Sequence, residues 1–300
     1  VAHRPLPMGG PLAVVRLVVG FPMRLVKGLL GQGGGGGDVD SARWLIVGLG
    51  NPGKRFVHTR HNIGFDIVDV FAAQEGLSFS AGGNKELQKL QKKSNAHLAV
   101  GVIANTPVVL AKPQTYMNLS GESIEKLMKH WRTPKTNMLI IYDDLDTPVT
   151  VLKLKCKGGH GGHNGVRNII DECPGCGDKV FPRLKIGVGR PKTGVEVYDH
   201  VLTRFDPTDR VKLESETFPS ACDAIRGVLT QGLDKTMTAV NNPGGVSDKS
   251  KKPKQPKQPQ QKKKQKDEKI DPAVSTLVEN AVANIISSQS NSSDVKATDG

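Results

Sequence analysis

Residues 46–62 read IVGLGNPGKRFVHTRHN, and an apolar run, Trp44-Leu45-Ile46-Val47, leads into the first glycine. The six residues Gly48-Leu49-Gly50-Asn51-Pro52-Gly53 fit the pattern G-x-G-x-x-G. A strand that feeds such a turn is how a dinucleotide-binding α/β unit begins. That unit also needs a helix opening inside the glycine turn and an acid about 20 residues on, after a second strand. Here Gly53 is followed by Lys-Arg-Phe-Val-His-Thr-Arg-His-Asn, which is polar and lacks apolar spacing at 3.6 residues. Asp66 and Asp69 fall inside a helical period that starts near Ile63, not after a strand. The stretch therefore predicts a strand, a long polar loop and only then a helix. Asn51 lies between Gly50 and Pro52; proline fixes its own backbone and restricts the residue before it, so Asn51 is presented rigidly.

The same alternation continues downstream. Apolar, β-branched runs at 44–48, 97–104, 107–111, 138–142, 149–154 and 184–188 predict strands. Helical periods lie between them: Ile63 to Phe71, Leu119 to Trp131 with Ser120 as N-cap, Val166 to Ile170, and one long helix from Pro207 to about Leu233. Thr106-Pro107 is expected to join two antiparallel strands. The expectation is a single three-layer α/β/α domain over 41–242, with a mixed central sheet.

Composition separates this domain from its ends. The chain has 300 residues, 37% hydrophobic, with net charge +13. Residues 1–37 carry four basic residues and no acid, and 14–30 is amphipathic, which resembles a transit peptide; 1–40 is read as that leader plus a glycine joint. Residues 248–300 carry eleven lysines against seven acids. The Lys/Gln/Pro-rich part, 249–269, cannot bury a core, so 243–300 is read as a disordered tail with an amphipathic helix at 272–286. What remains of the charge is +5 for 38–247, so a polyanionic partner suits the domain. No apolar run approaches the roughly 20 residues of a membrane span. Cys173-Pro-Gly-Cys176 has redox or zinc-half-site spacing, but it follows a helix end rather than a strand, and no second cysteine pair exists. It is read as a reduced loop pair.

Four polar clusters follow or precede predicted strands and helices. They are Thr59-Arg60-His61-Asn62, the segment from Lys112 to Asn118, Tyr142-Asp143-Asp144-Leu145-Asp146, and Gly158-Gly-His-Gly-Gly-His-Asn164. Sites in α/β sheets gather at the carboxyl ends of strands, so these clusters are expected to converge. His61 sits close to a helix N-terminus, which favours the neutral imidazole that accepts a proton. Asp143, Asp144, Asp146, His160 and His163 could in principle ligate a metal. The histidines, however, lie in a glycine run, and no local ligand motif fits.

Five segments, IVGLGNPGKRFVHTRHNIGF, KPQTYMNLSGES, IYDDLDTP, KLKCKGGHGGHNGVRNII and FPRLKIGVGRP, resemble the bacterial-type peptidyl-tRNA hydrolases in order and spacing over roughly 44–241. The resemblance implies cleavage of the ester joining a peptide to the 3′ ribose of tRNA, by a monomer, without metal or other cofactor. It implies His61 as general base, Asp143 as its orienting acid, and Asn51 as the residue that tells blocked from free aminoacyl groups. Phe56, Tyr116, Met117, Asn118 and Asn164 would bind substrate, and Lys153, Lys155, Arg167, Arg183 and Lys185 would hold tRNA phosphates. The family usually has tyrosine where this chain has Phe56; the ring can still stack on a base, but the hydroxyl is lost. A relative of different class, a chloroplast RNA-binding protein that assists group II intron splicing with a protein partner, also resembles the family and is the alternative. The leader implies an organelle, chloroplast or mitochondrion, as the place of action, with cytoplasm as the alternative.

Overall fold

The computed structural model describes residues 43–243. The leader and the tail, including the helix expected at 272–286, lie outside the described residues.

The strands are β1 (Trp44–Gly48), β2 (Ala96–Ile103), β3 (Thr106–Pro113), β4 (Met138–Asp144), β5 (Leu152–Lys157) and β6 (Val180–Gly187). They form one sheet in the order β2-β3-β1-β4-β6-β5. The inner four are mutually parallel, and the two edge strands run antiparallel to their neighbours, so the sheet is mixed as expected. β1 lies at the centre: Leu45, Ile46 and Val47 are fully buried, each stabilising the fold by about 1.5–3 kcal/mol.

The helices are α1 (Ile63–Gln74), α2 (Lys85–Ser94), α3 (Ser120–Trp131), α4 (Asn164–Glu172), α5 (Val197–Leu202), α6 (Pro207–Lys212), α7 (Phe218–Gln231) and α8 (Leu233–Asn241). α2, α3 and α4 pack on one face of the sheet around Leu87, Ile124, Trp131 and Ile169. α1 and α7 pack on the other around Ile67, Phe71, Phe218 and Ile225. These are the three layers.

Several local expectations shift. The β2–β3 hairpin turns at Ala104-Asn105, both with positive φ (48° and 63°), while Thr106-Pro107 already belongs to β3. Two-residue hairpins favour that left-handed pair because it matches the strand twist. Ser120 is the first helical residue rather than the cap: its hydroxyl donates to Met117 O at 2.8 Å, after a single 3₁₀ turn, Met117–Leu119. The long helix from Pro207 is two helices joined by a π-type turn at Leu213–Thr217, and Gly232, at φ 87°, separates α7 from α8. β5 begins three residues later than expected, since Thr150 has φ 75° and breaks the run.

Two glycines set the distance between β1 and α1. A Cβ on Gly48 would lie 2.2 Å from Gly64 O, and one on Gly64 would lie 2.4 Å from Ile141 O. Only bare backbone permits this approach. It brings the start of α1 against the carboxyl ends of β1 and β4, where the chain's strand order changes side.

Candidate active site

The loop after β1 holds Asn51, 7% exposed. Asn62 clamps it from both sides: Asn51 N–H donates to Asn62 Oδ1 at 2.9 Å, and Asn62 Nδ2 donates to Asn51 O at 2.9 Å. Asn62 thus pairs with the Asn51 backbone as a neighbouring strand would. The Asn51 side chain is fixed as well, because its Oδ1 accepts the Met117 N–H at 2.8 Å. An N–H donor can face only the oxygen of the amide, so Nδ2 is the part left to the cavity. The amide oxygen is thus engaged within the protein, and the amide offers the cavity a donor.

His61 lies in a 3₁₀ turn, Arg60–Asn62, directly before α1. Its Nδ1 is 2.9 Å and 3.0 Å from the two carboxylate oxygens of Asp143, at the end of β4. Asp143 is 3% exposed. Burial works to raise its pKa, but the charges and hydrogen bonds of His61 and His163 overcome this and hold the carboxyl far below its usual range. An ionised carboxylate only accepts, so His61 Nδ1 carries the proton and Nε2 is the basic nitrogen. For His61, burial opposes the charged form, yet the charge and hydrogen bond of Asp143 prevail and raise the pKa. The helix start therefore does not decide its protonation; the carboxylate 2.9 Å away does.

Asp143 has a second histidine that sequence reasoning weighed only as a metal ligand. His163 caps α4, its Nδ1 accepting the Val166 N–H at 3.2 Å, and its Nε2 is 3.0 Å from Asp143 Oδ1. With Nδ1 an acceptor, Nε2 must be the donor. Burial keeps this ring neutral, lowering its pKa despite Asp143. The signal was the position of His163 directly before an apolar helical period, where caps sit. The Asp143, His61 and His163 ligand atoms lie within 4.8 Å of one another. Yet the nitrogens that face the carboxylate do so at hydrogen-bond length and carry protons, which does not suit a metal requiring their lone pairs at about 2.0–2.1 Å. The other acids considered are engaged apart from this group: Asp144 with Lys185 at 2.8 Å and with Thr147, and Asp146 with Arg190. His160 Nδ1 accepts the Gly162 N–H.

Asn51, His61, Asp143, Asn118 and Asn164 all line one cavity of about 800 Å³, together with Phe56, Tyr116 and Met117. Met117 is buried and Tyr116 is 53% exposed at the rim. Phe56 is packed rather than free as a platform: it is 8% exposed, edge-on to Tyr116 at 6.5 Å, with the Arg55 guanidinium 4.4 Å above the ring. α5, which the sequence reading missed, forms a further wall through Val197, Tyr198, Val201 and Leu202.

The five cations expected to hold phosphates divide. Lys153 and Lys155 on β5 stand opposite Lys185 and Arg183 on β6. Arg183 is only 2% exposed; it donates to Gly159 O at 2.9 Å and Lys179 O at 3.0 Å and lies 3.9 Å over Phe181. It is structural in this arrangement, which corrects its expected role. Lys185 is paired with Asp144. Lys153, Lys155 and the exposed Arg167 on α4 have no ion pair among the described residues. Among those residues no helix is long and apolar enough to cross a membrane. Cys173 and Cys176 are buried free thiols at the end of α4.

The chain is similar to known proteins of one family. A family model described as peptidyl-tRNA hydrolase matches residues 45–252. A chloroplastic peptidyl-tRNA hydrolase of Arabidopsis thaliana is 46% identical over 198 residues, covering 66% of this chain and 64% of that protein, so the match spans just under two thirds of that relative. A chloroplastic group IIB intron splicing facilitator, CRS2-B, of the same plant is 38% identical over 203 residues, 68% of this chain and 79% of that one. The crystal structure of peptidyl-tRNA hydrolase from Acinetobacter baumannii superposes with a TM-score of 0.59 at 32% identity, covering 69% of this chain and 97% of that chain. The chain belongs to the peptidyl-tRNA hydrolase family.

Proposed function

We propose that this protein hydrolyses the ester between a peptide and the 3′ ribose of tRNA, releasing both and returning tRNA from stalled or aborted translation. The observation that carries the reading is the His61–Asp143 pair, which leaves His61 Nε2 as the basic nitrogen in a cavity that Asn51 also lines. Nε2 takes a proton from water as the water attacks the ester carbon. Asp143 stabilises the imidazolium that forms, and His163 fixes the carboxylate that does so. The imidazolium returns its proton to the leaving 3′ oxygen. The products are a tRNA 3′ hydroxyl and a peptide carboxylic acid, which gives its proton to solvent and leaves as the carboxylate. Asn164 orients the water or the ester carbonyl, and Asn118 binds the peptide end.

Asn51 supplies the selection. Its Nδ2 donates to the carbonyl oxygen of a peptide bond. A free aminoacyl group presents an ammonium there, a donor against a donor. Lys153, Lys155 and Arg167 supply phosphate contacts that do not read sequence. The basic, acid-free leader and the chloroplastic relative support an organellar address, chloroplast or mitochondrion. The complete His61–Asp143 pair supports the enzyme over the non-catalytic splicing role. The test is hydrolysis of N-acetyl-aminoacyl-tRNA by the wild type and by His61→Ala. Turnover lost in the variant is expected; an inactive wild type, or an unimpaired variant, ends the reading.

A further inference from the structure

Cys173-Pro174-Gly175-Cys176 has no part in the chemistry above. It forms a type II turn after α4: Gly175 has φ 72° and ψ 0°, a proline precedes it, and the Cys176 N–H donates to Cys173 O at 3.0 Å. A turn of this kind holds its end Cα atoms within about 7 Å, and a disulfide spans about 4.4–6.8 Å. The backbone is therefore already set for one. The side chains meet too, since the Cys173 thiol hydrogen-bonds to Cys176. That bond and burial push the Cys173 thiol up, so it keeps its proton. The same bond lowers the Cys176 thiol, helped against burial by the charges of Lys135 and Arg183. Lys135 is fastened to the turn, donating to Gly175 O at 2.7 Å and pairing with Asp178. One sulfur is prepared to attack and the other to resolve.

Access chooses the oxidant. Cys176 is 0% and Cys173 4% exposed, but Pro174, Gly175, Gly177 and Asp178 around them are exposed. A single layer of turn separates the sulfurs from solvent. A glutathione or protein disulfide cannot bring its own sulfur to them without unpacking the turn. Hydrogen peroxide, little larger than water, needs only a local opening. Cys222 packs on the opposite face of the sheet, so it does not compete as a partner.

We propose that Cys173 and Cys176 are a peroxide-sensitive dithiol, whose disulfide pins the end of α4. The Cys176 thiolate attacks one peroxide oxygen, the O–O bond breaks, and hydroxide leaves, giving a sulfenic acid. The Cys173 sulfur then attacks the Cys176 sulfur; the S–S bond forms, the S–O bond breaks, and a second hydroxide leaves. The two hydroxides take up the two thiol protons. In sum, two thiols are oxidised to a disulfide and one peroxide is reduced to two waters. α4 begins at Asn164 and is capped by His163, so the bond closes the far end of the helix that serves the site.

The experiment treats the folded, reduced full chain with hydrogen peroxide, blocks free thiols with iodoacetamide and maps the tryptic peptide Asn168–Lys179, which holds both cysteines and no methionine. The peptide should lose two hydrogens and escape alkylation, and dithiothreitol should reverse both. Oxidation should raise the melting temperature by about 2–4 °C relative to equally treated Cys176→Ser. In Cys173→Ser the reaction should stop at a sulfenic acid on Cys176, trapped by dimedone, whereas Cys176→Ser should give none. A pair still free in excess peroxide, a bond to Cys156 or Cys222, or a melting temperature that does not rise overturns the proposal. Sulfenic acid on Cys173 instead of Cys176 overturns the order of attack. The peptide map needs neither variant to fold, and no tRNA enters the test, so its result is separate from the hydrolase reading.

Discussion

His163 donates its Nε2 proton to Asp143 at 3.0 Å because its other ring nitrogen already accepts the Val166 N–H. The ring must stay neutral to do both, and burial holds its pKa below the ordinary value. In the unfolded chain it is free to bind a proton, so folding stability is lost as pH falls through about 6.5, the unfolded value. His61, with a raised pKa, acts in the opposite sense and loses its contribution as pH rises through its folded value. His163→Gln removes the first effect. Thermal melts between about pH 7.5 and 5.5 should show the variant gaining on the wild type as pH falls. A constant difference would remove the neutral assignment.

Asp143→Asn tests the electrostatics from the other side. Without the carboxylate, burial alone governs His61 and its pKa drops below the ordinary value. The acid limb of kcat/KM, where His61 loses its proton and becomes a base, should move to lower pH than in the wild type. The plateau should fall by about 10³–10⁴-fold, since the ring's tautomer and orientation are no longer imposed. A limb that moves upward contradicts the assignment.

Asn51→Asp keeps an oxygen for the Met117 N–H but turns the cavity-facing donor into an acceptor. Selectivity should fall rather than activity alone. The ratio of N-acetyl-aminoacyl-tRNA to free aminoacyl-tRNA hydrolysis is expected to drop by about 10²-fold, the scale of one lost aligned donor. Equal losses on both substrates would place discrimination elsewhere.

Asn62→Ala leaves the Asn51 N–H and carbonyl buried without their partner. The expected cost is about 1–3 kcal/mol for each group left unsatisfied, read by urea denaturation. A neutral result would mean that water replaces the clamp.

Lys153→Ala and Lys155→Ala should each reduce the salt dependence of tRNA binding by about one phosphate contact. Arg183→Met should leave that slope unchanged while lowering the melting temperature, because its hydrogen bonds end on Gly159 O and Lys179 O. An altered slope in Arg183→Met would return it to the RNA surface.

The sequence carried the fold wherever a residue's own periodicity decided its element. β1 and β4 are buried on both faces and read directly as apolar runs. α2 did not, because only Leu87, Leu90 and Ser94 of its ten residues are buried. β5 was displaced because Thr150, at φ 75°, breaks the run before Leu152, which composition does not reveal. At the site, His61, Asp143 and the three asparagines were legible as polar residues stranded at strand ends. Hydrogen-bond direction was not. That Met117 engages the Asn51 oxygen, that Asn62 holds the Asn51 backbone and that Arg183 is enclosed follow from tertiary contacts, which spacing does not encode.

The backbone contact between Gly48 and Gly64 has a mechanical consequence. α1 cannot retreat from the sheet without opening the central strand, so the base it leads is anchored to the stiffest part of the molecule. The close approach gives the chemistry at His61 a fixed reference point.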